Sequence, residues 1–171
     1  MKNRKLWIGL SLLLVIVIAA MIFLFSAQPA VESSELSAGL TRWILERMVP
    51  GFTGMTKAEQ AGLVKMWGNA LRKVAHFAEY AALGGALMAF IKLRMAPWSR
   101  RKAALAAWLG ATLYAVTDEL HQLFVSGRGP QFEDVCLDSL GALIGVLLAA
   151  AVFAGVRRFR KKEKAGREAA L

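Results

Sequence analysis

The chain has 171 residues, of which 57% are hydrophobic, against roughly 45–50% apolar residues in average soluble proteins, which argues against a disordered or purely soluble chain. It carries 22 Lys and Arg against 12 Asp and Glu, a formal net charge of +10, which fits either nucleic-acid binding or a membrane protein with basic flanks. The single cysteine, Cys136, excludes an intramolecular disulfide and a multi-cysteine zinc site.

Four apolar segments are long enough to cross a membrane, which takes about 20 helical residues. They lie at residues 6–25, 74–91, 103–124 and 138–156. The first follows a basic N-terminus, as a signal peptide does. Its apolar run, however, exceeds the ~7–15 residues usual in signal peptides. Cleavage after Ala27 would also place the bulky Phe25 at a position where a small residue is preferred. We therefore predict that segment 6–25 is an uncleaved anchor.

The segment from residue 26 to 73 is predicted to hold two amphipathic helices. Ser33 or Ser34 can cap the first, and Pro50 and Gly51 end it. The second begins at the capping-box pair Thr56 and Glu59 and continues to Leu71. Both carry Trp on the apolar side, so they are predicted either to lie in the outer membrane interface or to pack on the bundle as a cap.

Basic residues indicate the orientation, because Lys and Arg beside membrane helices stay preferentially in the cytoplasm. Fifteen of the 22 lie in three flanks, at residues 2–5, 92–102 and 157–167. A topology of four crossings with both termini in the cytoplasm places all three flanks on one side. Residues 157–171 then form a basic cytoplasmic tail. The bases are scattered without stacking aromatic residues, so we expect no nucleic-acid partner.

Polar residues cluster near the outer ends of the last three spans. Glu79 and Glu119 each lie about five residues below such an end, roughly 8 Å deep at ~1.5 Å per residue. Side chains at helical spacing share faces with them, and the turn at Arg128 lies over the same mouth. The predicted polar pocket contains Arg72, Lys73, His76, Glu79, Tyr80, Asp118, Glu119, Gln122, Arg128, Asp134 and Asp138.

Structural ion pairs that only orient helices are the alternative to this pocket, although ionisable groups at membrane depth are functional by default. With Glu133 counted beside the five acids of this list, six acids face three bases there, so either some carboxylates are protonated or the pocket receives a cation. His76 shares a helical face with Glu79 and is the better acid/base candidate of the two histidines. Additional bridging carboxylates for a bundle metal site are not assured, so no metal and no cofactor are predicted.

These residues closely resemble the signatures of the VanZ-like family of small bacterial membrane proteins, named for a protein associated with teicoplanin resistance. Residues 72–84 match Lys-x-x-His-Phe-x-x-Tyr-x-x-Leu-Gly, and residues 118–128 match Glu-x-x-Gln-x-Phe-x-x-Gly-Arg, with Ser126 where Pro is usual. Residues 134–141 match Asp-x-x-x-Asn/Asp-x-x-Gly, and residues 25–29 are similar to the family's Ser-x-Gln segment. The resemblance covers nearly the whole chain and implies the same pocket, but it implies no reaction.

The sequence therefore predicts one all-α membrane domain over residues 1–171, in the bacterial cytoplasmic membrane. It is a four-transmembrane-helix bundle with an amphipathic helical extracytoplasmic segment between the first two spans. Two functions stay open. In the first, the outward-facing pocket binds a lipid-linked or lipopeptide-like envelope ligand and affects teicoplanin susceptibility. In the second, the protein is an intramembrane enzyme and the pocket is its active site. In the enzyme, the candidate catalytic residues are His76, Glu79 and Glu119, acting as acid and base on an envelope lipid. Membrane lipids and an envelope lipid or glycolipopeptide are the expected partners.

Overall fold

The computed structural model describes residues 2–169, which form five α-helices and one short 3₁₀ turn. The helices are α1 (Lys2–Ser26), α2 (Ala30–Met48), α3 (Lys57–Arg94), α4 (Arg100–Gln122) and α5 (Phe132–Ala169), and the 3₁₀ turn at Phe52–Gly54 lies between α2 and α3. No β-strand occurs within residues 2–169, which confirms the all-α prediction. Residue 1 of the predicted domain and residues 170–171 of the predicted tail lie outside the described residues.

Three helices in this part of the chain are long and apolar enough to cross a membrane, namely α1, α3 and α5. The chain is therefore a helical protein of the membrane-spanning type. Helix α4 is not among the three, although a fourth crossing was predicted at residues 103–124. Its Ala, Gly and Thr residues contribute little hydropathy, and the adjacent acids Asp118 and Glu119 lower the mean further.

Two helices extend beyond the segments predicted for them. The second amphipathic helix and the span at 74–91 are one continuous helix, α3, because no Gly or Pro interrupts the chain between Leu71 and Val74. At ~1.5 Å per residue its 38 residues extend about 57 Å, well beyond a ~30 Å hydrocarbon core. Likewise α5 begins at Phe132 and continues to Ala169, so the described part of the tail is helical.

Helix α2 packs antiparallel to the first part of α3. Its N-cap is Pro29, without a side-chain hydrogen bond, and not Ser33 or Ser34 as predicted. The capping box of Thr56 and Glu59 is confirmed at the start of α3. Leu45, Phe52 and Val64 form a small buried core between the two helices. The pair is thus a helical hairpin, and its second arm continues directly into the bundle.

Helices α3 and α5 cross in parallel at very close distance. A Cβ atom at Gly141 would collide with the carbonyl oxygen of Phe77, and one at Gly145 with that of Ala81. The small residues Gly141 and Gly145 therefore permit close backbone approach. This crossing fixes the start of α5 beside the middle of α3, which is where the polar residues lie.

The remaining contacts define the two ends of the bundle. Helices α1 and α4 are parallel to each other, because Gln122 donates to Ser26 (3.1 Å) and Tyr114 donates to the carbonyl of Ala19 (2.7 Å). At the opposite end, Arg4 donates to the carbonyl of Leu93 (3.0 Å). We call the end with residues 123–131 the polar end and the end with residues 95–99 the basic end. All three basic flanks of the sequence lie at the basic end.

Candidate functional site

A cavity of about 320 Å³ lies at the polar end, between α3, α5 and the loop at residues 123–131. Its walls include seven of the eleven side chains predicted for the pocket. These seven are Arg72, Lys73, His76, Gln122, Arg128, Asp134 and Asp138. Residues from three helices and one loop, far apart in sequence, therefore meet around one space, which we call the polar cavity.

The loop at 123–131 is held in place by backbone hydrogen bonds. Gly127 adopts a positive φ of 74°, and the Arg128 N–H donates to the carbonyl of Val125 (3.1 Å). The carbonyl of Ser126 accepts from the N–H of Ala30 at the start of α2 (3.1 Å). These bonds tie the loop to α2 and direct the half-buried side chain of Arg128 into the cavity wall.

The cationic side chains of the cavity have different partners. Arg72 donates to the hydroxyls of Ser34 (3.1 Å) and Ser37 (3.4 Å), whereas Lys73 forms an ion pair with Asp134 (3.3 Å). Among the described residues, neither Arg72 nor Arg128 forms an ion pair with a carboxylate. Burial lowers the pKa of the Arg128 guanidinium, and the nearby charge of Arg72 lowers it further. Two arginines thus share one wall without a direct ion pair to a carboxylate among the described residues, although the charges of Asp118 and Glu119 also act on Arg128.

Asp138 forms the floor of the polar cavity. It is 1% exposed, and its Oδ1 atom has no hydrogen-bond partner within residues 2–169. An unsatisfied buried carboxyl oxygen is costly, so a polar group that enters the cavity can form a hydrogen bond with the Asp138 carboxyl group.

Three predicted pocket residues lie behind the walls. Tyr80, Asp118 and Glu119 are buried and are absent from the described linings of both the polar cavity and the neighbouring groove. Glu119 accepts the backbone N–H of Gln131 (2.8 Å), so it anchors the segment that leads into α5. The walls consequently carry Arg72, Lys73 and Arg128 against Asp134 and Asp138 only. The surplus of acids expected from the sequence count is therefore not present at this surface.

An apolar groove of about 440 Å³ adjoins the polar cavity between the end of α1, α2 and α3. Its apolar wall includes Phe25, Leu36, Leu40, Leu71 and Ala75. Glu79, the eleventh predicted residue, lies here and not in the polar cavity. Arg72, His76 and Arg128 line both spaces, so they form a common wall between a polar and an apolar compartment.

Two of the acid/base candidates, His76 and Glu79, are close together but are not hydrogen-bonded to each other. His76 Nδ1 lies 3.9 Å from Glu79 Oε2, beyond hydrogen-bond distance, and this nitrogen has no partner in the part of the chain that the structure describes. In the same part, no group of three or more His, Cys, Asp or Glu side chains is arranged to hold a metal ion.

Several contributors to the site were missed from the sequence. Ser34 and Ser37 hold Arg72 from α2, and Asn69 and Gln131 add polar wall. Ser26 is fully buried against Gln122. Ser26 could have been identified from its place in the Ser-x-Gln segment. Ser34 and Ser37 could have been identified from their spacing of one helical turn.

The fold and the site define a class, namely helical membrane proteins with a polar cavity at one end of the bundle beside an apolar groove. Within that class, the chain belongs to the VanZ/LLP1 family, whose model matches residues 11–154. This range contains every residue that lines the polar cavity, and the resemblance noted from the signatures is confirmed. No curated protein and no solved structure matches the chain.

Proposed function

We propose that the polar cavity and the apolar groove together bind one amphiphilic envelope ligand, with the head group in the cavity and the chain in the groove. The observation that carries this proposal is the common wall of Arg72, His76 and Arg128. A ligand with a polar and an apolar part would cross this wall where its two parts join. The volumes of about 320 and 440 Å³ fall within the roughly 300–1,000 Å³ common for small-molecule sites.

The charges of the wall support an anionic group at the head of the ligand. Arg72 and Arg128 lie near each other without a carboxylate partner among the described residues. A phosphate or carboxylate between them would remove their mutual repulsion and accept charge-assisted hydrogen bonds from both. Lys73 contributes less, because Asp134 already pairs with it.

The floor of the cavity supports a second feature of the ligand. Asp138 is buried and lines the cavity, and its carboxyl oxygen without a partner can bond to a hydroxyl or amine of the ligand. The ligand class is therefore a phosphorylated or carboxylated amphiphile that also carries sugar hydroxyls or an amine. Lipid-linked envelope intermediates and lipopeptides both have this chemistry.

The orientation of the bundle follows from the positive-inside rule. We infer that α4 is a fourth crossing beside α3 and α5, and that both termini are cytoplasmic, because the basic flanks lie at one end. The buried alanine ridge of α4, which includes Ala103, Ala107, Ala111 and Ala115, supports its close packing within the bundle. The protein then belongs in the bacterial cytoplasmic membrane, and the polar cavity opens to the outer surface.

The enzyme alternative has weaker support. General acid/base catalysis requires groups within hydrogen-bond reach of the reacting atoms. His76 and Glu79 are 3.9 Å apart, and Glu119 is engaged with the backbone of Gln131. Ligand retention without turnover is therefore the function that the geometry supports best.

Dodecyl phosphate is a suitable probe, because it joins one anionic head to one chain. Purified protein in phosphatidylcholine nanodiscs is titrated with dodecyl phosphate, dodecanol and inorganic phosphate. We expect dodecyl phosphate to bind more tightly than either part alone. Arg128→Ala should weaken its binding about 10- to 100-fold, the usual value of a hydrogen bond to a charged group. Mass spectrometry of the recovered probe should find it unchanged.

Arg42→Ala is the matched control, since it removes one arginine from the exposed face of α2, where Arg42 donates to Gln60 (3.2 Å). Equal loss of binding in Arg42→Ala and Arg128→Ala would contradict the site. Turnover of the probe that disappears in His76→Ala would instead establish the enzyme.

The effect on drug susceptibility is tested in cells. We propose that occupancy of the site changes the susceptibility of the host to teicoplanin, as the family resemblance implies. Expression of the native chain in a susceptible Gram-positive host should raise the inhibitory concentration of teicoplanin, and Arg72→Ala or Arg128→Ala should abolish the rise. An unchanged effect in both variants at equal membrane abundance would refute this role.

A further inference from the structure

A second cavity, of about 930 Å³, lies at the basic end, between the turn that joins α3 to α4 and the later part of α5. We call it the basic pocket. Five of its lining side chains are cationic, namely Lys92, Arg100, Arg101, Arg157 and Arg160. None of the described lining residues is acidic. A concave site with several cationic side chains and no acidic side chain in its described lining favours the binding of an anionic ligand.

The basic pocket lies one membrane thickness from the polar cavity. Arg72 lines the polar cavity and Lys92 lines the basic pocket, and they are twenty residues apart on the same helix. At ~1.5 Å per residue this separation is about 30 Å, the thickness of a bilayer's hydrocarbon core. With the polar cavity at one interface, the basic pocket therefore lies at the head groups of the opposite leaflet.

Apolar side chains form the other side of the basic pocket. Phe153 and Val156 come from α5, and Trp98 comes from the turn and is 40% exposed. Tryptophan is enriched at membrane interfaces, where its ring lies at head-group level. The pocket thus joins a cationic surface to an apolar one, as the head group and first chain carbons of a phospholipid require. A soluble anion would use only the cationic surface.

The local structure holds the cations in position. Lys92 donates through Nζ to the carbonyl of Trp98, which fastens the turn to the end of α3. Ser99 caps α4 by accepting the N–H of Lys102 (3.2 Å), so Arg100 and Arg101 lie in the first helical turn. In that turn the helix dipole adds to the positive potential. The one described acid on the later part of α5, Glu163, is paired with Arg167 (2.7 Å).

We propose that the basic pocket is a specific site for an anionic phospholipid, with preference for a head group that carries two phosphates. Five cations exceed what one phosphate can neutralise, and basic pockets of this kind at helix ends bind such lipids. Because this site and the polar cavity lie at opposite ends of the bundle, the loss of either leaves the other intact.

Native mass spectrometry tests the proposal. The purified full-length protein is prepared with phosphatidylcholine alone, with phosphatidylglycerol, or with cardiolipin, which carries two phosphates. We expect cardiolipin to be retained at one copy per chain and to exceed phosphatidylglycerol at matched charge. Inorganic pyrophosphate should not displace it. Equal retention of the three lipids, or displacement by pyrophosphate at micromolar concentration, would overturn the proposal.

Variants locate the site on α5. The double variant Arg157→Ala and Arg160→Ala should weaken cardiolipin binding about thirtyfold, from ~1 kcal/mol for each basic residue at an anionic surface. The charge-matched control Lys162→Ala with Arg167→Ala changes residues beyond the pocket and should have little effect. Equal effects of the two double variants would show that net charge alone is responsible. Arg157→Lys with Arg160→Lys should recover most of the affinity, which excludes misfolding as the cause.

Discussion

The two ends of the bundle treat charge in opposite ways. At the polar end, Lys73 pairs with Asp134, Glu119 accepts a backbone N–H, and the cavity walls mix both signs. At the basic end, five cations surround a larger pocket without an acidic lining residue among those described. Mixed charges at defined distances distinguish one ligand from another, whereas an excess of one sign recognises a class of membrane lipid. This difference supports our two proposals, that the basic end binds an anionic lipid and that the polar end selects its ligand.

Both ends depend on the crossing of α3 and α5. The first variant to test is Gly145→Ala, because its added Cβ would collide with the carbonyl oxygen of Ala81, and backbone cannot yield as a flexible side chain can. We expect a loss of about 3 kcal/mol, the upper part of the usual range for overpacking. Thermal unfolding should then begin roughly 6–12 °C lower. Ligand binding at both ends should weaken together.

Gly155→Ala is the matched control for this substitution. A Cβ at Gly155 meets no atom within 4 Å, and alanine favours helix over glycine. The control variant should therefore be as stable as the native protein or slightly more so. Equal melting temperatures for the two alanine variants would show that the close crossing contributes nothing to stability.

Charge reversal separates the two ends. Arg128→Glu should reduce dodecyl phosphate binding at least 100-fold, because it replaces an attractive contact by a repulsive one beside Arg72, and it should leave cardiolipin retention unchanged. Arg160→Glu should reduce cardiolipin retention and leave dodecyl phosphate binding unchanged. The two titrations on the same preparations provide the measurement. If either reversal affected both ligands equally, the two ends would not be separate sites.

A smaller effect is expected from the residues that position Arg72. Ser34→Ala with Ser37→Ala removes the hydroxyls that accept from its guanidinium. The side chain then gains rotamer freedom, and binding of dodecyl phosphate should weaken about 3- to 10-fold, from roughly 1 kcal/mol for a typical hydrogen bond. Thr117→Ala, which removes an exposed hydroxyl on α4 outside the described linings of both the cavity and the groove, provides the comparison. A loss as large as that of Arg72→Ala would mean that the serines contact the ligand directly.

The smallest change is expected for Lys73→Ala. The Lys73 side chain is half exposed, and such ion pairs contribute about 0–1 kcal/mol to stability. Melting temperature and dodecyl phosphate affinity should therefore change little. A tenfold loss of affinity would show that Lys73, and not the arginine pair, provides the main anion contact.

Sequence reasoning succeeded where one helix carries the whole signal. The apolar run 6–25 lies inside α1, and the capping box of Thr56 marks the start of α3. It failed at Arg72 and Lys73, because charges there end an apolar segment without ending the helix. Asp118 and Glu119 lie behind the cavity wall because of the way α4 is rotated toward its neighbours. This rotation is a tertiary property, so it could not be predicted from the depth of the two residues along one helix.

The residues of the candidate site also divide into those with a local sequence signal and those placed by tertiary contacts. The motif residues on α3, the loop and α5 were identified because their spacing is local. The pairing of Arg72 with Ser34 and Ser37 was not, because it depends on α2 folding back along α3 over more than thirty residues. The apolar groove was missed for the same reason, since α1, α2 and α3 each contribute only part of it.

Photo-crosslinking can show whether one amphiphile occupies both compartments across the common wall. Dodecyl phosphate with a diazirine at the end of its chain is bound to the native protein and irradiated, and the modified peptides are mapped by mass spectrometry. We expect crosslinks concentrated at groove residues such as Phe25, Leu36 and Leu40, and we expect them to disappear in the double variant Arg72→Ala with Arg128→Ala. Crosslinks distributed over the exposed apolar face of α5, around Leu148 and Val152, and unchanged in that double variant would contradict the proposal.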